Sequence, residues 1–173
     1  MSTNNIHAEL TAAKKFVYDP RGYLFTGLTE EKESREYASY MFNLNTLHIK
    51  FRAAKITPTK TGQFVTLWKR NAAGITQPCH ASDDIDLYVI SVRKNNLSGQ
   101  FVFPKMALVR QGILSSSEKE GKRGFRVYTP WDKTTSVQAQ KTQKWQLDFF
   151  LEIHDGSSLN SDHTDLLYSP KVR

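Results

Sequence analysis

Apolar residues at Ile6, Leu10, Ala13 and Val17 recur at helical spacing, and Pro20 and Gly22 close the stretch, so Asn5 to Phe16 predicts an opening helix. Leu28 to Asn43 predicts a second helix. Thr29 stands as its N-cap, Glu30, Glu31 and Glu33 form an acidic first turn, and Tyr37, Tyr40 and Met41 supply an apolar side. From Leu47 the period changes to two. Leu47, Ile49, Phe51 and Ala53 alternate with His48, Lys50, Arg52 and Ala54, the pattern of a strand with one buried face, which puts Lys50 and Arg52 together on the other. The breaker Ile56 to Gly62 follows, and Gln63 to Arg70 reads as the returning strand of a hairpin.

Leu87 to Val92 is a near-continuous apolar run suited to a central strand, and Arg93 to Gly99 turns it back into Gln100 to Phe103. Pro104 ends that strand, and Met106, Leu108, Val109 and Ile113 predict a short helix. Ser115 to Gly124 is a polar loop, Gly124 to Tyr128 a short strand, Ser136 to Lys144 a helix capped by Ser136, and Leu147 to Ile153 a last apolar element. The words Gly-Gln-Phe-Val occur at 62–65 and 99–102, a glycine-led strand start used twice rather than evidence of duplication. Strands interleaved with helices predict one α/β domain over residues 1–155 around a mixed sheet of four to six strands, with a polar tail at 156–173.

A chain of 173 residues with 39% hydrophobic and 24% charged residues is large and apolar enough to fold around its own core. Cys79 is its single cysteine, which excludes an internal disulfide. No apolar run approaches a membrane span or a secretory leader, and the expectation is a cytoplasmic protein without a membrane partner. The net charge of +7 is unevenly spread: Thr46 to Gln146 carries +11 and the two flanks together −4. A segregated positive field favours phosphate-rich partners, although a charged surface kept for solubility gives the same sum.

Aromatic residues stand among the basic ones at Phe51-Arg52, Trp68-Lys69-Arg70, Lys122-Arg123-Gly124-Phe125-Arg126, Trp131 and Lys144-Trp145. Cations can track a phosphate backbone while aromatic faces stack on bases; any single tryptophan is better accounted for as a half-buried packing anchor, and it is the cluster that points to nucleic acid. The expected contact face is Arg52, Lys55, Lys60, Lys69, Arg70, Lys105, Lys122, Arg123, Arg126 and Lys144, with Trp68 and Trp145 as stacking surfaces and DNA or RNA as the partner. The turn around Lys55, Thr57, Thr59, Lys60 and Thr61 lacks the glycine spacing of a phosphate loop.

Cleavage of a phosphodiester would need carboxylates to hold Mg²⁺ or a similar ion, and the candidates are Asp83, Asp84 and Asp86 before the central strand and Glu33 or Glu36 on the second helix; the cleavage reading uses Glu33, Asp84 or Asp86, with Lys105 near the scissile phosphate. An acid two positions before a lysine occurs only at Glu30/Lys32 and Glu120/Lys122, outside the predicted strands, and Phe103 stands where Lys105 would need its acid. No zinc spacing exists among the histidines. Cys79 and His80, adjacent in an extended chain, point to opposite sides. No cofactor is expected outside the nuclease reading.

The words FRAAKITPTKTGQFVTLWKR (51–70), DDIDLYVISV (83–92), GQFVFPK (99–105), EGKRGFRVY (120–128) with the following PW, and TQKWQ (142–146) closely resemble the MepB family of small bacterial proteins, in unbroken order from about Asp19 to Phe150. The resemblance implies a restriction-endonuclease-like α/β fold, and some members are encoded beside a multidrug efflux pump and its regulator. Three functions remain open: nucleic-acid binding on a nuclease-like fold without the standard catalytic motif, metal-dependent cleavage, or a protein- or small-ligand-binding accessory role linked to efflux.

Overall fold

The computed structural model describes residues 6–154 and 160–169. Helix α1 (Ala8–Ala13) is capped by His7, whose ring accepts from the Glu9 N–H at 3.1 Å, and continues into a π-helical turn at Lys14–Tyr18. Next come β1 (Phe25–Glu30), a 3-10 turn at Arg35–Tyr37, β2 (Tyr40–Leu44), β3 (Leu47–Ala53), β4 (Lys55–Ile56), β5 (Gln63–Thr66), β6 (Trp68–Arg70) and β7 (Thr76–Pro78). The chain then forms β8 (Leu87–Lys94), β9 (Leu97–Pro104), α2 (Lys105–Arg110), β10 (Gly124–Val127), α3 (Val137–Leu147), β11 (Phe150–Ile153) and α4 (Ser161–Leu167).

Six strands make one mixed sheet in the order β1-β2-β3-β8-β9-β11, with β3 and β8 parallel and the other neighbours antiparallel. A second sheet, β10-β5-β4, and the ribbon β6-β7 complete the strands. Strand β3 alternates its side chains as expected, but both of its sides are buried, Lys50 and Arg52 included, rather than one. Ile49 and Phe51 join Leu10, Val17 and Tyr18 of the N-terminal helix and Leu167 and Tyr168 of the C-terminal one in a first core. Tyr88, Ile90, Phe101 and Phe103 pack on Val65, Leu67, Leu108, Phe125 and Val127 in a second. The central strands β8 and β9 are therefore covered on both sides, which is why Leu87 to Val92 reads as an unbroken apolar run.

The expected α/β architecture with helices around a mixed sheet is present, but three elements differ from the sequence reading. Leu28 to Asn43 is not a helix. It contains the end of β1, the 3-10 turn and most of β2, with Tyr40, Phe42 and Leu44 buried in alternation and Phe25 stacked on Phe42 at 4.6 Å. The returning strand after the 56–62 breaker does not pair with β3. It pairs with β4 and β10, while β3 takes β8 as its neighbour. Within 156–173, Asn160 caps α4, whose Leu167 is fully buried, so that stretch is no polar tail where it is described. Residues 155–159 and 170–173 lie outside the described residues.

Candidate nucleic-acid interface

Strand β10 is the free edge of the second sheet, and along it Phe125 and Val127 turn into the core, leaving Arg126 and Tyr128 on the other side. Its unpaired backbone groups are met from α3. Gln146, fully buried, donates from Nε2 to the Arg126 carbonyl at 2.9 Å and accepts from the Tyr128 N–H at 2.8 Å, completing the edge with an amide side chain. Gln143 bonds the Thr129 and Asp132 carbonyls at 2.8 and 3.0 Å, and the Ser136 hydroxyl accepts from the Ala139 N–H at 3.1 Å. Helix α3 is thus held beside β10 by polar bonds, although its sequence shows little apolar periodicity.

Between β10, α3 and the turn before β5 runs a cleft of about 690 Å³. Lys60, Lys122 and Arg126 line it together with Phe125, Tyr128, Thr142 and Trp145, and none of its lining residues is acidic. Ser136, Gln138 and Ala139 bring the N-terminal end of α3 to the same cleft. The Arg126 guanidinium donates to Thr57 Oγ1 at 2.8 Å and to the Thr61 carbonyl at 3.3 Å, and lies over the Phe64 ring. All these acceptors are neutral, so its charge is not cancelled by a carboxylate. Trp145 packs against Phe103 at 5.4 Å and reaches the cleft as well.

The cleft therefore gathers four of the twelve residues expected at a contact face: Lys60, Lys122, Arg126 and Trp145. Lys144 is exposed on α3, and Lys55 stands over Tyr37 at 4.8 Å. Arg70 stacks on Trp68 at 5.3 Å and pairs with Glu33 at 3.6 Å. Arg123 bonds the Thr76 carbonyl at 3.0 Å and pairs with Glu120 at 3.8 Å. Lys69 is bound to Asp83, and Lys105 donates to the Asp83 carbonyl at 2.6 Å. Arg52 cannot belong to an outer face, because its side chain is fully buried against Glu31 at 2.8 Å. The period of β3 places Arg52 opposite Phe51, but that second side is covered by the second core.

Two carboxylates of the nuclease reading, Asp84 and Asp86, meet His48, and the third, Glu33, is held apart by Arg70. Glu33 faces Arg70, Asp84 meets the His48 ring at 3.1 Å with most of its side chain in solvent, and Asp86 accepts from the His48 N–H at 2.7 Å. Among the described residues no three His, Cys, Asp or Glu side chains gather as a metal-binding group. Burial tends to raise the Asp83 pKa, but the His80 N–H and Lys69 outweigh it and hold the carboxyl below its ordinary range.

Sequence reasoning missed Tyr128 and the α3 polar residues of the cleft. It also missed a buried cluster on the second side of β3 and β8. There Lys50, 7% exposed, stands 3.5 Å from Glu31 and 3.7 Å from Cys79 Sγ. Tyr88, the register partner of Lys50, is fully buried. Burial pushes the Cys79 thiol up, against the pull of Lys50 and Arg52.

A family model described as MepB-like matches residues 31–152. A crystal structure of MepB is 38% identical, covers 78% of this chain and 89% of its own, and superposes with a TM-score of 0.73. A bacterial homing endonuclease is 15% identical over 85% of this chain and 93% of its own with a TM-score of 0.46, a likeness too low to bear on function. No curated protein matches significantly.

Proposed function

The chain belongs to the MepB-like family, and from that premise we propose that it binds nucleic acid through the cleft between β10 and α3, without cleaving it. One observation carries the reading: a 690 Å³ cleft whose lining has three cations, no carboxylate and the half-buried rings of Tyr128 and Trp145, with Phe125 behind them in the core. Three cations on one concave surface attract a polyanion, and the N-terminal end of α3 adds a partial positive charge. The two rings favour a single strand or an extruded base over a closed duplex, since a paired base hides its faces. A cleft of this volume matches one or two nucleotides rather than a helical turn.

The engagement of Glu33 by Arg70, of Asp84 and Asp86 by His48, and of the Lys105 ammonium by the Asp83 carbonyl supports binding over metal-dependent cleavage. A cytoplasmic setting accords with the single buried cysteine, and no described helix is long and apolar enough to cross a membrane.

The test is a titration of tryptophan fluorescence with single-stranded DNA, duplex DNA and RNA at several salt concentrations, followed by gel analysis of the same mixtures with Mg²⁺. Saturable binding to single strands whose log affinity falls with log salt, with a slope of roughly −2 if three phosphates are met, is expected. Absence of binding at low salt overturns the reading and leaves an accessory role with a protein or small ligand. Mg²⁺-dependent shortening of the strands overturns the non-cleaving part.

A further inference from the structure

A second depression, of about 280 Å³, adjoins the cleft, and its lining includes Ile56, Lys60, Gly62, Lys94, Asp132 and Lys133. Lys60 borders both cavities. Tyr128 of the cleft packs directly on Gly62 of the depression, so closely that a Cβ at Gly62 would stand 2.7 Å from its ring. The turn that carries Lys60 is fixed from the cleft side. Arg126 donates to Thr57 Oγ1 at 2.8 Å and to the Thr61 and Gly62 carbonyls at 3.3 and 3.4 Å. Beyond β10 the chain that walls the cleft runs on through Tyr128 to Asp132 and Lys133, so the same two segments border both cavities.

Charge favours the same continuation. Three lysines of the depression stand against one carboxylate, and that carboxylate is turned inward: the Asp132 side chain is 7% exposed, and its Oδ2 accepts from the Thr129 N–H at 2.8 Å and from the Thr129 hydroxyl at 2.9 Å. Oδ1 lies 3.8 Å from the Lys94 ammonium, a long contact that cancels only part of one cation. Lys60 and Lys133 are exposed and form no ion pair among the described residues. Ile56, on the edge strand β4, is the one large apolar side chain of the lining and is 59% exposed. An exposed apolar side chain among cations gives a base a surface to cover while the phosphates beside it meet the lysines.

Resting on the nucleic-acid reading of the cleft, we propose that the bound single strand leaves the cleft over the Lys60 turn and that Lys94 and Lys133 hold its next phosphates, with Ile56 against a base. Lys60, shared by the two cavities, meets the phosphate that joins them. A depression of 280 Å³ adds room for about one nucleotide to the one or two of the cleft. The site is then a track for a strand of about three nucleotides or more, and a free nucleotide fills only part of it.

The experiment titrates the full chain with single-stranded oligothymidylates of about two to about eight nucleotides at several salt concentrations, read by tryptophan fluorescence. Affinity is expected to climb beyond the length that fills the cleft and then to level off, and the longest strand to show a log–log salt slope about 1.4 steeper than the shortest, two more phosphates being met. Lys94→Ala and Lys133→Ala are each expected to lower that slope by about 0.7 for the longest strand and to leave the shortest unaffected, and Ile56→Ser to weaken the longest strand with its slope unchanged. Lys133→Ala carries the test by itself where Lys94→Ala disturbs Asp132. Lys15→Ala, which removes an exposed lysine from the N-terminal helix, controls for net charge, and Lys122→Ala reads the cleft by weakening strands of every length. Affinity that stops growing once the cleft is filled, a salt slope unchanged in Lys133→Ala, or an equal fall in Lys15→Ala overturns the second subsite, and the Lys122→Ala result then shows whether the cleft still binds. Absence of binding at every length overturns both.

Discussion

The hydroxyls of Tyr18 and Tyr168 meet at 3.0 Å across 150 residues of chain, with their rings edge-on at 5.5 Å, and both side chains are buried. The Tyr168 hydroxyl also donates to Gln100 Oε1 on β9, so one contact joins the N-terminal helix, the C-terminal helix and the central sheet. Arg21 and Tyr23 bind Asp165 from the same side. Helix α4 is thus part of the first core. Leu167→Ala is expected to destabilise the protein by about 3 kcal/mol through lost burial and the cavity left behind. Urea denaturation measures it, and a change within about 0.5 kcal/mol, the range of an ordinary surface substitution, would show that α4 contributes nothing to the core.

The elements legible in the sequence are those whose local pattern agrees with their burial. The apolar run of β8 with its return in β9 and the Ser136 cap of α3 are found as read, and β3 is a strand as read although both of its sides are buried. Leu28 to Asn43 failed because two periods coexist there. Tyr37, Tyr40 and Met41 fit a helix behind an acidic turn, while Tyr40, Phe42 and Leu44 fit a strand, and pairing with β3 decides for the strand. An irregularity between Thr26 and Thr29, with Gly27 at φ +65°, further blurs the period of β1. Only four of the twelve expected contact residues share the cleft for a similar reason: composition shows which residues are basic, not which side of a strand another sheet covers. Arg52 and Lys122 look alike in sequence, and only the packing of β5 and β10 on the second side of the main sheet separates them.

Lys60→Ala and Lys122→Ala are expected to weaken oligonucleotide binding and to lower the steepness of its log–log salt dependence by about 0.7 each, one phosphate contact per cation, with the unfolding midpoint unchanged. Arg126→Ala is expected to do both, because Arg126 also bonds Thr57 and Thr61 across the turn that leads into β5. Fluorescence titration beside thermal unfolding separates the two effects. Equal salt slopes in all the variants would place the nucleic acid elsewhere.

The two Gly-Gln-Phe-Val words hold their glycines for different reasons. Gly62 has φ +82° in the turn before β5, whereas Gly99 lies within β9, where an added Cβ would sit 2.5 Å from the Phe150 ring and 2.9 Å from the Leu151 carbonyl. Gly99→Ala is therefore expected to push β11 from β9 and to cost about 1–3 kcal/mol, the usual penalty of overpacking. Gly62→Ala combines left-handed strain with an approach of 2.7 Å to the Tyr128 ring, and so should also alter the cleft wall. Denaturation of both variants, with oligonucleotide titration, checks this. Gly99→Ala should retain affinity under folding conditions, and Gly62→Ala should lose it.

Acid should weaken the fold through Asp83. Burial acts to raise its pKa, but the His80 N–H and the Lys69 ammonium prevail, so the folded value lies below the unfolded one. A carboxylate depressed in this way contributes stability that is fully present above its ordinary pKa of about 4 and is lost as pH falls through the lowered value. Asp83→Asn removes the pair with Lys69, and the contribution of a partly solvated pair is at most about 1 kcal/mol, equivalent to roughly 2–4 °C in a chain of this size. The variant is expected to melt below the parent at pH 7, with the gap narrowing as the parent is titrated towards pH 3. Thermal unfolding between pH 3 and 7 measures it. A gap that stays constant across that range would mean that Asp83 acts through its neutral hydrogen bonds and shape, and not through its charge.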